Sequence, residues 1–300
     1  MSAAISRASV ITFASVFRTV SPVCAKMRVN ADILQSKAMT ALDRVLAKYN
    51  WAKQHVDKFE VAVDDFRRNN PYSIRRKNDV ERGQVTFYVE SVPAIPDALS
   101  FMLGDALHNL RSTLDHLASA LVVAAGGTPD SHTCFPIFDT SKAYEDLSRS
   151  RVKGLGKYCL EELDRVQPYK GAWGHWAWQL HRLDIVDKHR LVLTVASVPV
   201  ARTMTPSEKA AFDARKTLIG PNTFAAMQMA KAANSPIAAP VEAGHELGTF
   251  PLSEANQNMG FAFDIAINEP EIVGLVPTFI LLRTYCSETM QVINNLWRFL

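Results

Sequence analysis

Apolar positions between residues 32 and 66 advance in steps of three and four: Ala38, Leu42, Val45, Tyr49, Ala52, Val56, Phe59, Val63 and Phe66. This spacing predicts one long helix with an apolar seam of period about 3.5, which requires a partner helix from this chain or a second copy. Asn69-Asn70-Pro71 stops it. The closing stretch 280–299 repeats the seam with Leu282, Tyr285, Thr289, Val292, Leu296 and Phe299, and is the expected partner. A central helix is predicted over 97–125, entered through Pro93 and Pro96 and ended by Gly126-Gly127. Its stripe of Leu103, Leu107, Leu110, Leu114, Leu117 and Leu121 falls within a narrow arc. A fourth strong helix covers 172–187, with Trp173, Trp176 and Trp178 assigned to the core. Shorter helices are expected at 140–149, 157–166, 206–217 and 222–233; Thr205-Pro206 caps and opens the third of these.

Strict alternation marks the strands. Tyr72–Lys77 and Gln84–Glu90 form a hairpin around Asn78–Gly83, and further strands fall at 191–198, 246–252 and 259–268. In the last, Phe261, Phe263, Ile265 and Ile267 share one face, the mark of a half-buried strand. The fold class expected is therefore α+β: long helices near 32–66, 97–125, 172–187 and 280–299 with a small antiparallel sheet. Residues 32–300 read as a single domain carrying a flexible Ala- and Pro-rich insertion near 201–243.

Composition changes this picture little. A net charge of +3 over 300 residues gives no ground for nucleic-acid binding by charge alone. The basic hairpin residues Arg67, Arg68, Arg75, Arg76, Lys77 and Arg82 read first as a solvated face. No apolar run approaches the ~20 residues that span a bilayer. Cys24, Cys134, Cys159 and Cys286 form no Cys-x-x-Cys pair, which excludes a thiolate zinc knuckle and fits a reducing cytoplasm. Residues 1–31 stand apart, with Arg7, Arg18, Lys26 and Arg28 and no acid before Asp32. They suit a targeting presequence or a disordered extension ahead of Met27; as a signal peptide, the apolar run Val10–Phe17 is short and Arg18 follows it.

Two polar helix faces carry the candidate chemistry. Opposite the central leucine stripe lie Asp105, His108, Ser112, Asp115 and Ser119, flanked by Asn109 and His116 on one side and Arg111 on the other. Lys and Glu, the usual residues of a solvated helix face, are missing, so this face is expected to be covered and to form a hydrogen-bonded network. The second face is His181, Asp184 and Lys188, at helical spacings of three and four. Asp187 points instead beside Leu180 and Leu183, where a carboxylate needs a cationic or N–H partner: Arg111, His108 or the backbone at 189–190.

The string Gly104-Asp105-Ala106-Leu107-His108-Asn109-Leu110-Arg111-Ser112-Thr113-Leu114-Asp115-His116 resembles a family of uncharacterised bacterial proteins. Cys134-Phe135-Pro136-Ile137-Phe138, Asp187-Lys188-His189-Arg190 and Asn70-Pro71-Tyr72 fit that family too, which spans most of residues 32–300. Arg111 followed by His116 also resembles the signature of the HEPN superfamily of helical ribonucleases and toxins, an Arg with a His four to six residues on. Ser112 stands where that superfamily often has Asn or Asp, and Arg182 to His189 nearly fits the same spacing. This resemblance implies RNA as substrate, no cofactor, His116 as acid/base and Arg111 as stabiliser of phosphate charge, positioned by His108 and Asn109. Asp105, Ser112, Asp115, His181, Asp184, Asp187, Lys188 and His189 would support them. Five residues on an ideal helix separate two side chains by ~140°, so the pair would share a substrate only across a homodimer of such helices.

Two other classes stand beside this one. Asp105 and His108, with His181 and Asp184 repeating the spacing, could bind zinc, iron or manganese between facing helices as a divalent-metal hydrolase. Arg111 and Lys188 would bring positive charge near such a metal. In the third class both faces serve only folding or partner docking. A phosphate loop, dinucleotide fingerprint and nucleophile elbow are all missing.

Overall fold

The computed structural model describes residues 40–69, 72–189, 195–202, 204–219, 240–255 and 259–300. The extension at 1–31, the first residues of the seam and the expected helix at 222–233 lie outside them. Helix α1, Ala41–Asn69, buries Val45, Tyr49, Ala52, Val56, Phe59, Val63 and Phe66 in unbroken steps of four and three. The strands β1, Ser73–Asp79, and β2, Gln84–Ser91, form the hairpin. Helix α2, Asp97–Ala124, follows, and every leucine of its stripe is at most 1% exposed.

The α1 seam packs mainly along α2, not along the C-terminal helix expected to cover it. The reason is that α2 is apolar on more than one side: Leu99, Ala106, Ala118 and Val122 are buried beside the leucines. The C-terminal helix α7, Thr278–Leu296, meets α1 more narrowly, through Tyr49 Oη donating to the Cys286 carbonyl (3.2 Å) and Arg283 on Glu60 (3.2 Å). Leu282, Tyr285, Thr289, Val292 and Leu296 of the α7 seam are buried as well. Both seams are satisfied within one chain, so a dimer would need another face. Replacing one of the central leucines by Ala costs about 2–5 kcal/mol at such sites.

Helices α3, Ser141–Arg151, and α4, Lys157–Val166, lead to α5, His175–His189. Thr140 caps α3 by accepting from the Ala143 amide (3.1 Å). The start of α5 falls three residues later than expected because the chain first folds back on the end of α4. A Cβ at Gly174 would collide there with the Val166 and Gln167 carbonyls. Trp176 and Trp178 enter the core as expected, whereas Trp173 is 88% exposed in this connecting loop.

Strand β3, Val195–Arg202, helix α6, Pro206–Ile219, and strands β4, Glu246–Pro251, and β5, Phe261–Ile267, complete the elements. The strands divide into two antiparallel sheets, ordered β1-β2-β4 and β3-β5, where a single small sheet was expected. Val85, Phe87 and Phe250 form a satellite core under the first sheet. In β5 the second face is buried too: Asp264 is 3% exposed and pairs with Arg67 (3.1 Å), since the end of α1 and the start of α7 close over it. Residues Ala41–Leu300 form one unit around a continuous core drawn from α1, α2, α4, α5, α7 and β5. No helix among the described residues is long and apolar enough to cross a membrane.

Candidate functional site on the facing helices

Helices α2 and α5 run antiparallel, and their polar faces meet in three successive rungs one turn apart: Gly104 with Asp187, His108 with Asp184, and Arg111 with His181. The leucines of α2 and Leu180 and Leu183 of α5 bury the flank below the ladder, which fixes the register of the two helices.

The Arg111 rung is closed. Arg111 is 5% exposed, and its guanidinium donates to Asp115 Oδ1, to the Phe135 carbonyl (3.4 Å) and to His181 Nδ1 (3.3 Å). Asp115 Oδ1 also accepts from the Phe135 amide (2.9 Å), so the Cys134–Phe138 segment is tied to α2 through backbone. Burial, and then the Arg111 guanidinium, push the His181 pKa down to about 4. His181 is thus a neutral imidazole whose Nδ1 accepts and whose Nε2 carries the proton. Each nitrogen of the guanidinium is therefore engaged by another protein group.

The His108 rung is open on one side. The Asp184 carboxylate is buried; Oδ1 lies 2.9 Å from His108 Nδ1 and Oδ2 accepts from Lys188 Nζ (2.6 Å). A carboxylate neutralised by an ammonium can only accept, so the Nδ1 atom carries the hydrogen. The imidazole side chain is half exposed, and its Nε2 has no protein partner among the described residues. This is the orientation in which a buried acid holds a histidine for proton transfer.

The third rung depends on a missing side chain. A Cβ on Gly104 would occupy the space of the Asp187 carboxylate. Among the described residues nothing donates a hydrogen bond to that carboxylate; of the expected partners, Arg111 and His108 are engaged elsewhere, and residue 190 lies outside the described residues. Arg111 is instead committed to Asp115, two rungs away. Burial raises the Asp187 pKa above the ordinary carboxylate range, and the neighbouring Asp184 and Asp105 add to the rise.

The remaining candidates scatter. His116 is exposed at the far flank of α2 and joins no rung, so within one chain it does not share a site with Arg111. Asn109 does not position either residue: it donates to the Asp105 carbonyl (2.8 Å) and accepts from Lys48 Nζ (2.9 Å), bracing α2 on α1. Asp105 is exposed and Ser112 half-buried. His189 ends α5, with its side chain outside the described residues.

The metal set Asp105, His108, His181 and Asp184 does not assemble. Lys188 holds the second oxygen of Asp184 and Arg111 the Nδ1 of His181, so cations sit where ligand lone pairs would be needed. Among the described residues no group of three His, Cys, Asp or Glu side chains has metal-holding geometry.

Sequence reasoning missed the roles of the Phe135 backbone and Lys48; the Cys134–Phe138 string drew notice as a motif but not as a backbone partner of α2, and nothing in the helical pattern marks Lys48. A separate cavity of about 820 Å³ lies on another flank of α5, lined by Trp178, Arg182, Val186, Lys170 and Glu271. No family model, curated protein or solved structure matches the chain.

Proposed function

We propose that the protein is a metal-independent acid–base enzyme that cleaves RNA, with His108 rather than His116 as the proton-transferring group. The observation that carries this reading is the bond from His108 Nδ1 to buried Asp184, which leaves Nε2 free. Such a group takes a proton from a hydroxyl without needing a metal, and positioned proton transfer contributes about 10²–10⁴ in rate. RNA enters through the resemblance of Arg111 and His116 to the HEPN signature; a ribose 2′-hydroxyl is the nucleophile such a base activates. Arg111 keeps a structural role in this reading, because a guanidinium so enclosed does not reach a phosphate. A homodimer accompanies the HEPN resemblance, and a cytoplasmic location rests on the unpaired cysteines alone.

The test is incubation of purified protein with single-stranded RNA in excess chelator. The expected outcome is cleavage leaving 2′,3′-cyclic phosphate and 5′-hydroxyl ends, lost in His108→Ala. Intact RNA after prolonged incubation would reject the reading.

One observation favours a second reading. The Arg111 rung is a closed polar network of the kind that fixes helix packing, and a protein built only around it would bind or scaffold without turnover. That reading expects no cleavage in the same assay and no effect of His108→Ala beyond stability.

A further inference from the structure

RNA cleavage by a 2′-hydroxyl needs two proton transfers: a base takes the hydroxyl proton and an acid protonates the departing 5′-oxygen. His108 supplies one group. The other must lie within reach of the same phosphate, be partly accessible and be able to hold a proton.

Asp105, Asp184, Asp187 and Lys188 surround His108. Asp184 is disqualified, since its two oxygens hold His108 and Lys188 and its side chain is only 3% exposed. Lys188 is committed to Asp184. Asp105 is exposed and lies outside the enclosed part of the ladder. Asp187 differs from all three. It sits one rung from His108, in a space that exists only because residue 104 is glycine, and it receives no hydrogen bond among the described residues. A half-buried carboxylate without donors is stabilised by keeping its proton.

Building on the RNA-cleaving reading, we propose that Asp187 is the general acid that completes the His108 site, and that Gly104 is the residue that admits it. His108 Nε2 takes the proton of the 2′-hydroxyl as the 2′-oxygen bonds to phosphorus. The bond from phosphorus to the 5′-oxygen breaks, and the Asp187 carboxylic acid gives its proton to that oxygen. Cyclic phosphate and a 5′-hydroxyl leave, with His108 protonated and Asp187 ionised; one proton passing through water from the first to the second restores the start. The charges facing Asp187 are Asp184 and Lys188 on α5 and Asp105 and His108 on α2. The two further acids favour its protonated form; the ammonium and a protonated His108 oppose it. The site is therefore primed when His108 is neutral.

The experiment is the pH dependence of RNA cleavage by wild type and Asp187→Asn, paired with NMR titration of the Asp187 carboxyl carbon and the His108 ring. The wild type should show a bell, rising as His108 loses its proton and falling as Asp187 loses its own. In Asp187→Asn the rate should drop by about 10²-fold and the falling limb should vanish, leaving a plateau at high pH. A variant that keeps both limbs overturns the proposal even where His108→Ala confirms the RNA reading. If the wild type cleaves no RNA, that reading falls and the titration still decides. A carboxyl that titrates above a free aspartate, with a second inflection where His108 titrates, supports the paired site. An Asp187 titrating as a free aspartate independently of His108 removes it.

Discussion

The Arg111 and His108 rungs lie one turn apart on the same two helices and each joins a cation, a carboxylate and an imidazole, yet they differ in what is left over. In the first, each nitrogen of a buried guanidinium is engaged, by a carboxylate, a neutral imidazole and a backbone carbonyl. In the second, a buried carboxylate holds a half-exposed imidazole by one nitrogen and leaves the other free. A satisfied network fixes helix register; an incompletely satisfied one can exchange protons with a substrate. Residue chemistry is therefore no guide to role along this ladder, whereas the exposure of the remaining hydrogen-bonding capacity is.

The largest effects should come from breaking the closed rung. Arg111→Ala leaves Asp115 without its cation and His181 and the Phe135 carbonyl without their donor; chemical denaturation should show a loss of about 3–5 kcal/mol. The loss would be far smaller if the rung were an exposed ion pair.

The pH dependence of the same rung follows from His181. Its folded pKa, about 4, lies below the unfolded value of about 6.5, so the unfolded chain binds the proton first. Stability from burying the neutral ring is complete above pH 6.5 and is lost as pH falls toward 4, on the order of 3 kcal/mol in all. Denaturation at a series of pH values on wild type and His181→Gln checks this, because their difference isolates the ring from titrating carboxylates. Parallel curves for the two proteins would refute it.

Gly104→Ala sharpens the contrast at the third rung. Gly to Ala inside a helix ordinarily stabilises by about 1 kcal/mol. Here the new methyl meets the Asp187 carboxylate, and a loss of about 1–3 kcal/mol is expected. Combining it with Asp187→Ala should recover most of that loss, as read in a double-mutant cycle.

The smallest effect is expected at His116, exposed and outside the ladder. His116→Ala should change stability by less than about 0.5 kcal/mol and leave the cleavage rate within about twofold. A loss comparable to that of a positioned acid or base would return the proton-transfer role to His116.

Much of this was legible in the chain itself. The seams of α1 and α7 and the leucine stripe of α2 are long and regular, so periodicity alone located the helices and their buried sides. The short polar residues on α2 and the spacing of His181, Asp184 and Lys188 marked two polar faces, but not that they meet, and the α2 face is covered only in part, with Asp105 and His108 exposed. Pairing was not legible. A one-dimensional pattern does not say that Arg111 meets His181 rather than Asp187, nor that α2 rather than α7 takes the α1 seam. These outcomes depend on the register of two packed helices. The signature Arg111 and His116 drew attention to the helix that carries the ladder, but His116 lies outside the ladder, because sequence spacing carries no information about which faces meet. Gly104 reads in sequence as a weak point in a helix; only the carboxylate of a distant segment gives it a purpose.

The most direct test of the account is the RNA-cleavage rate of His108→Ala in chelator, with its thermal unfolding measured on the same sample. The account predicts that cleavage falls by about 10² or more while the melting temperature stays within a few degrees of wild type. An unaltered cleavage rate, or a rate lost only together with the fold, would contradict it.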